Sequence, residues 1–255
     1  MEEDMECETT GFNPHMCRVM EERPILFDSD FYAAEALACD MDIPVIYSTG
    51  SNKEPIEEWL EKHKPSMIHR VDGFGWIHVI RSEKTKNTNS DEVDVMGLQE
   101  AWENLKASER DISKDKIFEL ANNFRVTAGK WMFWVSTGGK GDYLWSLVAK
   151  GIVNGNTLAK QAKISACEQG KEGPDKNEHV VCIYNDNFLD KDQVFESERT
   201  IRSLGIKCQL QYKPDVFTYL GVYRKNPWNL RPTIYNSNFD VIRNQSIIEE
   251  VHGRF

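Results

Sequence analysis

Apolar and polar positions change period sharply along residues 129–147. Trp131, Phe133 and Val135 alternate with Lys130, Met132 and Trp134, so an extended segment over 130–136 has two unlike faces. One is core. The other carries a lysine, a methionine and a tryptophan that a ligand or a second layer of protein must cover. After Gly138-Gly139-Lys140-Gly141 the spacing becomes helical, with Leu144, Trp145, Val148 and Ile152 on one side. That predicts a helix over 143–154, N-capped by Asp142 and stopped by Gly155.

The same reading places the other elements. A helix opens at Asp28 and ends before Pro44, residues 45–48 are extended, and a second helix covers 51–64 with Pro55 in its first turn. Residues 66–72 and 75–81 read as two strands joined by the turn Asp72-Gly73-Phe74-Gly75. A polar loop spans 82–94, followed by an amphipathic helix over 96–107 and another, capped by Ser113, through Asn122. Strands follow at 157–167 and 178–185. Asp190 and Gln193 form a capping-box pattern opening a helix to Leu204. Residues 207–212 and 219–223 read as a closing strand pair, with a last short strand near Tyr235 or Val241. This order predicts a single α+β domain over residues 24–255, with helices on one face of a largely antiparallel sheet.

Composition adds a tail and a charge asymmetry. Residues 1–23 are acidic and without period, which predicts a disordered tail. Residues 1–61 hold 16 of the 41 acids but three of the 31 bases, so the net charge of −10 is concentrated there. Residues 125–163 reverse the balance, with Arg125, Lys130, Lys140, Lys150, Lys160 and Lys163 against Asp142 alone. Such a local excess can meet phosphate in an acidic protein. A solvated basic surface is the alternative. No membrane-spanning run and no secretory signal pattern appear, which predicts a cytoplasmic protein with nuclear access.

Several chemistries lack their signatures. The run Ser136–Gly141 precedes a helix but departs from the phosphate-binding pattern, because Lys140 is followed by glycine. Six cysteines and six histidines have no metal-ligand spacing, and no nucleophile turn is present, so no enzyme, cofactor or metal is predicted. Trp102, Trp131, Trp134 and Trp145 read as core, except that alternation leaves Trp134 open to base stacking or to cover by N-terminal helices.

With these elements placed, residues 96–223 resemble the cap-binding translation initiation factors. Ala101-Trp102, Gly129-Lys130-Trp131 and Tyr143-Leu144-Trp145 stand at that family's aromatic-tryptophan helix, its strand and its second helix. Residues 28–235 are similar, more specifically, to the uncharacterised basophilic-leukaemia-expressed protein family, through Gly129-Lys130-Trp131, Gly205-Ile206-Lys207-Cys208 and the run from Tyr212 to Tyr223. The resemblance implies a curved, largely antiparallel sheet backed by helices on one face, in a monomer that binds RNA without catalysis. Cap recognition in such factors needs two tryptophans around a methylated guanine. The loop 82–94 has no aromatic and residues 120–127 have only Phe124, so an intact methylguanine site is not expected. The RNA-binding residues expected on this basis are Lys160, Lys163, Lys171 and Arg125 for phosphate, with Phe124 or Trp134 for stacking. A protein-interaction module, using the Trp102 helix or the acidic tail, is the alternative.

Overall fold

The computed structural model describes residues 43–82, 93–168 and 178–253, so the acidic tail, the helix expected from Asp28 and Lys171 lie outside the described residues. One open sheet of eight strands runs in the order β1-β2-β4-β5-β3-β6-β7-β8. The strands are β1 (Ile43–Ser48), β2 (Phe74–Ile80), β3 (Gly129–Ser136), β4 (Gln161–Ser165), β5 (Glu178–Asn185), β6 (Leu210–Pro214), β7 (Tyr235–Asp240) and β8 (Gln245–Glu250). Among the described strands, only β1 and β2 pair in parallel. A parallel pair needs a crossover, and α1 (Ile56–Lys62) lies within it. The other α-helices among the described residues are α2 (Val95–Ser108), α3 (Lys114–Asn123), α4 (Gly139–Val153), α5 (Lys191–Ser203) and the short α6 (Asp215–Tyr219).

The core lies where alternation put it. Ile77, Val79, Ala162, Ile164, Val181, Ile183, Trp131, Phe133 and Tyr212 share one sheet face and are buried with Trp145, Val148 and Ile152 of α4 and Val194 and Ile201 of α5. Trp131 is fully buried, and its indole Nε1 donates to the Val194 carbonyl at 3.0 Å, which satisfies the polar end of the ring. Gly129, at the start of β3, is required by Tyr212. A Cβ there would collide with that ring and its hydroxyl. The hydroxyl itself donates to Asn185 Oδ1 at 2.7 Å, so the ring has little room to give.

Local caps are satisfied where the sequence placed them, with Ser113 Oγ accepting from Lys116 N and Asp190 Oδ1 from Gln193 N. The second half of the capping box is not made. Gln193 Oε1 instead accepts from Asn185 Nδ2 and Asn187 N, fastening α5 to the end of β5.

Four expectations are corrected. Residues 66–72 are not a strand but two 3-10 turns, Pro65–Met67 and Arg70–Asp72, because β1 takes the edge of β2 and Ser66 is held by Asp142. That contact also moves the start of α4. Gly138, at φ 103°, is the N-cap, and Asp142 sits inside the first turn, accepting from Ser66 N at 3.0 Å and Ser66 Oγ at 2.7 Å. Residues 219–223 are not a strand either. They close α6, with Val222 N donating to Phe217 O, while β7 occupies the pairing edge of β6. Finally, the strand expected over 157–167 is confined to Gln161–Ser165, which leaves Lys160 just outside it.

The β7–β8 hairpin is held by a buried ionic knot. Glu198 of α5 is 0% exposed and accepts from Arg202 Nε at 2.7 Å, Ser237 Oγ at 2.5 Å and Ser246 Oγ at 3.1 Å. Arg202 donates in turn to the carbonyls of Ile206, Cys208 and Ser237.

Candidate nucleic-acid interface

The sheet face opposite the helices is where Trp76, His78, Lys163, Tyr184, Cys182, Lys130, Met132, Trp134 and Lys213 fall by register. Lys163 on β4 sits beside His78 on β2 and Cys182 on β5. Lys130 on β3 sits between Tyr184 on β5 and Lys213 on β6. Rings and ammonium groups therefore alternate across four strands, Trp76 on β2, Lys163 on β4, Tyr184 on β5 and Lys130 on β3, and Lys213 on β6 stands beside Lys130. The Lys163 Nζ stands 4.1 Å from the Trp76 ring centroid and 6.0 Å from that of Tyr184, Lys130 Nζ stands 5.6 Å from Tyr184, and Lys213 Nζ stands 3.7 Å from Tyr223. Each lies within the range of a cation–π contact.

Part of this belt forms the floor of a cleft of about 510 Å³. Trp76, His78, Gln161, Lys163 and Tyr184 come from the sheet, Asp186 follows the end of β5, and Asp215 and Tyr219 come from α6. Arg125 and residues 126–128, the link from α3 to β3, form a wall. Arg125 takes a left-handed φ of 59° just after α3, where Val126 N donates to Ala121 O and Arg125 N to Asn122 O. This is the position that glycine usually fills at a helix end, and an arginine there is held at some conformational cost.

Charge in the cleft is arranged in pairs. Lys130 Nζ donates to Asp215 Oδ1 at 2.7 Å, and the Lys160 ammonium lies 3.4 Å from Asp186. Burial opposes the charge on Lys130, yet Asp215 overcomes it and holds the amine above the ordinary lysine range. Lys213 has the opposite balance. It is 5% exposed, and burial together with the neighbouring Lys130 charge pulls its amine down to about 7. Burial pushes the Cys182 thiol up, and the side chain is packed in the sheet between Lys163 and Met132.

The residues expected from sequence separate here. Arg125 and Lys163 line the cleft, and Lys160 is joined to it through Asp186. Phe124 is the C-cap of α3 and packs against the core beside Gly97, outside the cleft lining. Trp134 is 46% exposed on the same sheet face but lies outside the cleft, three strands from Trp76 along the row Trp76, Ser165, Val180, Trp134. Trp102 is 3% exposed and its ring packs edge-on against Trp228 with centroids 4.7 Å apart, so its side chain is part of the core. Trp76, Tyr184, Tyr219 and Asp215 carry no signal of a site in the sequence, and Lys130 stands out there only as one base of the 125–163 excess and as the lysine of the second strand face. The alternation of Trp76 and His78 against Ile77 and Val79 separates two faces, but nothing local tells which of them lines a cleft.

Among the described residues, no three His, Cys, Asp or Glu side chains gather in a metal-binding group, and no helix is long and apolar enough to cross a membrane.

Residues 97–221 match the family model for basophilic leukemia-expressed protein Bles03. This is the family that the sequence resembles. The Bles03 span is just under half of the chain and runs from α2 past the end of α6. It includes Arg125, Lys130, Lys160, Lys163, Tyr184, Asp186, Asp215 and Tyr219, whereas Trp76 and His78 precede it. Among solved structures, the α+β fold is similar to schistosome eIF4E complexed with m7GpppA and 4E-BP, at 12% identity and a TM-score of 0.34, covering 64% of this chain and 94% of that one. Ascaris suum eIF4E-3 with m2,2,7G cap matches at 13% identity and 0.32, covering 64% and 93%. C. elegans eIF4E-3 with the 4E-binding protein Mextli matches at 16% and 0.28, over 35% of this chain and 53% of that one.

Proposed function

We propose that the protein binds RNA non-enzymatically, with the cleft on the sheet face opposite α4 and α5 as its site. The observation that carries this reading is the alternation of Trp76, Lys163, Tyr184 and Lys130 across adjacent strands. Single-stranded RNA presents the same alternation of flat bases and charged phosphates. Aromatic rings supply sequence-tolerant stacking of about 1–3 kcal/mol per base, and basic side chains supply the phosphate contacts. A cleft of about 510 Å³ falls within the range of small-ligand sites, roughly 300–1,000 Å³, so one nucleotide fits inside while the strand continues outward. Arg125 on the wall and Lys163 on the floor are the phosphate contacts, with Lys160 at the margin.

Titration of a fluorescent single-stranded RNA at two salt concentrations tests this. With two or three phosphates engaged, affinity falls roughly tenfold between 50 and 200 mM salt, and Lys163→Glu weakens binding by at least a similar factor. Absence of binding at 50 mM salt, or an unaltered Lys163→Glu variant, sinks the proposal.

A further inference from the structure

We infer that the acidic segment of residues 1–42 is an occupant of the cleft built into the chain itself, seated there in the RNA-free protein and displaced when RNA enters. The inference rests on the RNA-binding reading and goes past it by naming what the site holds when RNA is absent.

The segment ends where the cleft begins. Ile43 is the first residue of β1 and its N donates to the Gly73 carbonyl at 3.2 Å, and the next residue, Pro44, belongs to the cleft lining with Trp76, Arg125 and Lys163. The 42 residues before Ile43 are therefore tethered at the rim. Tethering makes docking an intramolecular event, with an effective concentration on the order of mM for a short linker, so contacts that are individually weak suffice. Fourteen positions separate Asp30 from Pro44. That length spans about 21 Å as a helix and about 50 Å extended, and either allows the chain to turn back into the cleft it leaves from.

Its chemistry is that of the proposed ligand. Residues 1–42 hold 12 of the 41 acids and two of the 31 bases, which leaves 29 of each for the rest of the chain, so the whole net charge of −10 resides in this segment. Within it, Phe27, Asp28, Asp30, Phe31 and Tyr32 set rings beside carboxylates, as a strand of RNA sets bases beside phosphates. The cleft presents the matching groups, Arg125 and Lys163 for the carboxylates and Trp76, Tyr184 and Tyr219 for the rings. A guanidinium and an ammonium each carry several N–H donors, so Arg125 and Lys163 take a carboxylate of the segment in addition to the contacts they already make. The two acids of the lining, Asp186 and Asp215, are each faced by a lysine, Lys160 at 3.4 Å and Lys130 at 2.7 Å, which reduces their repulsion of an incoming carboxylate.

A water-soluble carbodiimide joins carboxylates to lysine amines only where they touch, and mass spectrometry of the treated full chain maps the links. Links from residues 1–42 to Lys160 and Lys163 are expected to be at least five times as frequent as links from the same residues to Lys62 and Lys64, which are nearer in sequence and exposed. In an equal mixture of isotope-labelled and unlabelled protein the links are expected within one chain, and saturating single-stranded RNA is expected to lower them at least fivefold. Links spread evenly over these four lysines, or joining labelled to unlabelled chains, overturn the inference. So do links that persist unchanged while RNA is bound. Where RNA binds and no link to Lys160 or Lys163 forms, the inference falls and the RNA-binding reading stands. Where the links form and no RNA binds at low salt, the RNA-binding reading falls and the segment stands as the occupant of the cleft.

Discussion

Lys130 and Lys213 are directly opposite one another on β3 and β6, and their environments drive them apart. Asp215 holds the first charged, whereas burial and the Lys130 charge bring the second down to about 7 from its ordinary 10.5. The unfolded chain therefore holds the Lys213 proton more tightly than the folded one. The resulting penalty is complete below about pH 7 and is relieved as pH climbs toward 10.5. Lys130 gives little opposing slope below about pH 10, because the stability from its raised amine begins to be lost only as pH nears the unfolded lysine value of 10.5. Chemical denaturation at pH 7 and pH 10 should show a Lys213-dependent gain in wild-type stability on the order of 1–3 kcal/mol. Lys213→Met should be the more stable protein at pH 7 and should lose that advantage by pH 10. Parallel pH profiles for the two proteins would refute the assignment. From sequence this pair reads only as two lysines in separate strands, since cross-strand register is not a local property.

At the scale of elements, β3, β5, α2, α3 and α5 were legible because each carries its own evidence. The apolar period picks the buried face, and Ser113 and Asp190 mark helix starts through bonds reaching only three residues along the chain. Residues 66–72 and 219–223 misled for the opposite reason. Their extended, apolar character is real, but β1 and β7 had already taken the edges of β2 and β6. The β7–β8 hairpin shows the same dependence on distant partners. It has a mostly exposed β8 and is fastened through Ser237 and Ser246 to the buried Glu198–Arg202 pair. Glu198→Ala leaves the Arg202 guanidinium buried without its carboxylate, which costs about 3–5 kcal/mol. Hydrogen exchange should then show β7 and β8 losing protection before β3 and β5. Equal loss across the whole sheet, or a cost within experimental error, would contradict this account of the hairpin.

At the scale of the whole molecule, the net charge of −10 conceals the feature on which the proposed function rests. The basic excess over residues 125–163 gave Arg125, Lys160 and Lys163 from sequence, and the fold brings these to one cleft. The aromatic half of the site was not legible. Trp76 lies 49 positions before Arg125, and Tyr184 and Tyr219 follow it by 59 and 94. Sheet order alone places them together. The expected stacking rings, Trp134 from strand alternation and Phe124 from the family resemblance, stand outside the cleft lining.

The central claim is that RNA lies on the floor formed by Trp76, Lys163 and Tyr184. Photocrosslinking of a 4-thiouridine-substituted single-stranded RNA to the full chain, followed by mass-spectrometric mapping of the adducts, tests it most directly. Adducts on Trp76, Tyr184 or Tyr219, suppressed by Lys163→Glu, are the predicted result. Adducts confined to peptides outside the cleft, or none above an unrelated control protein, would contradict it.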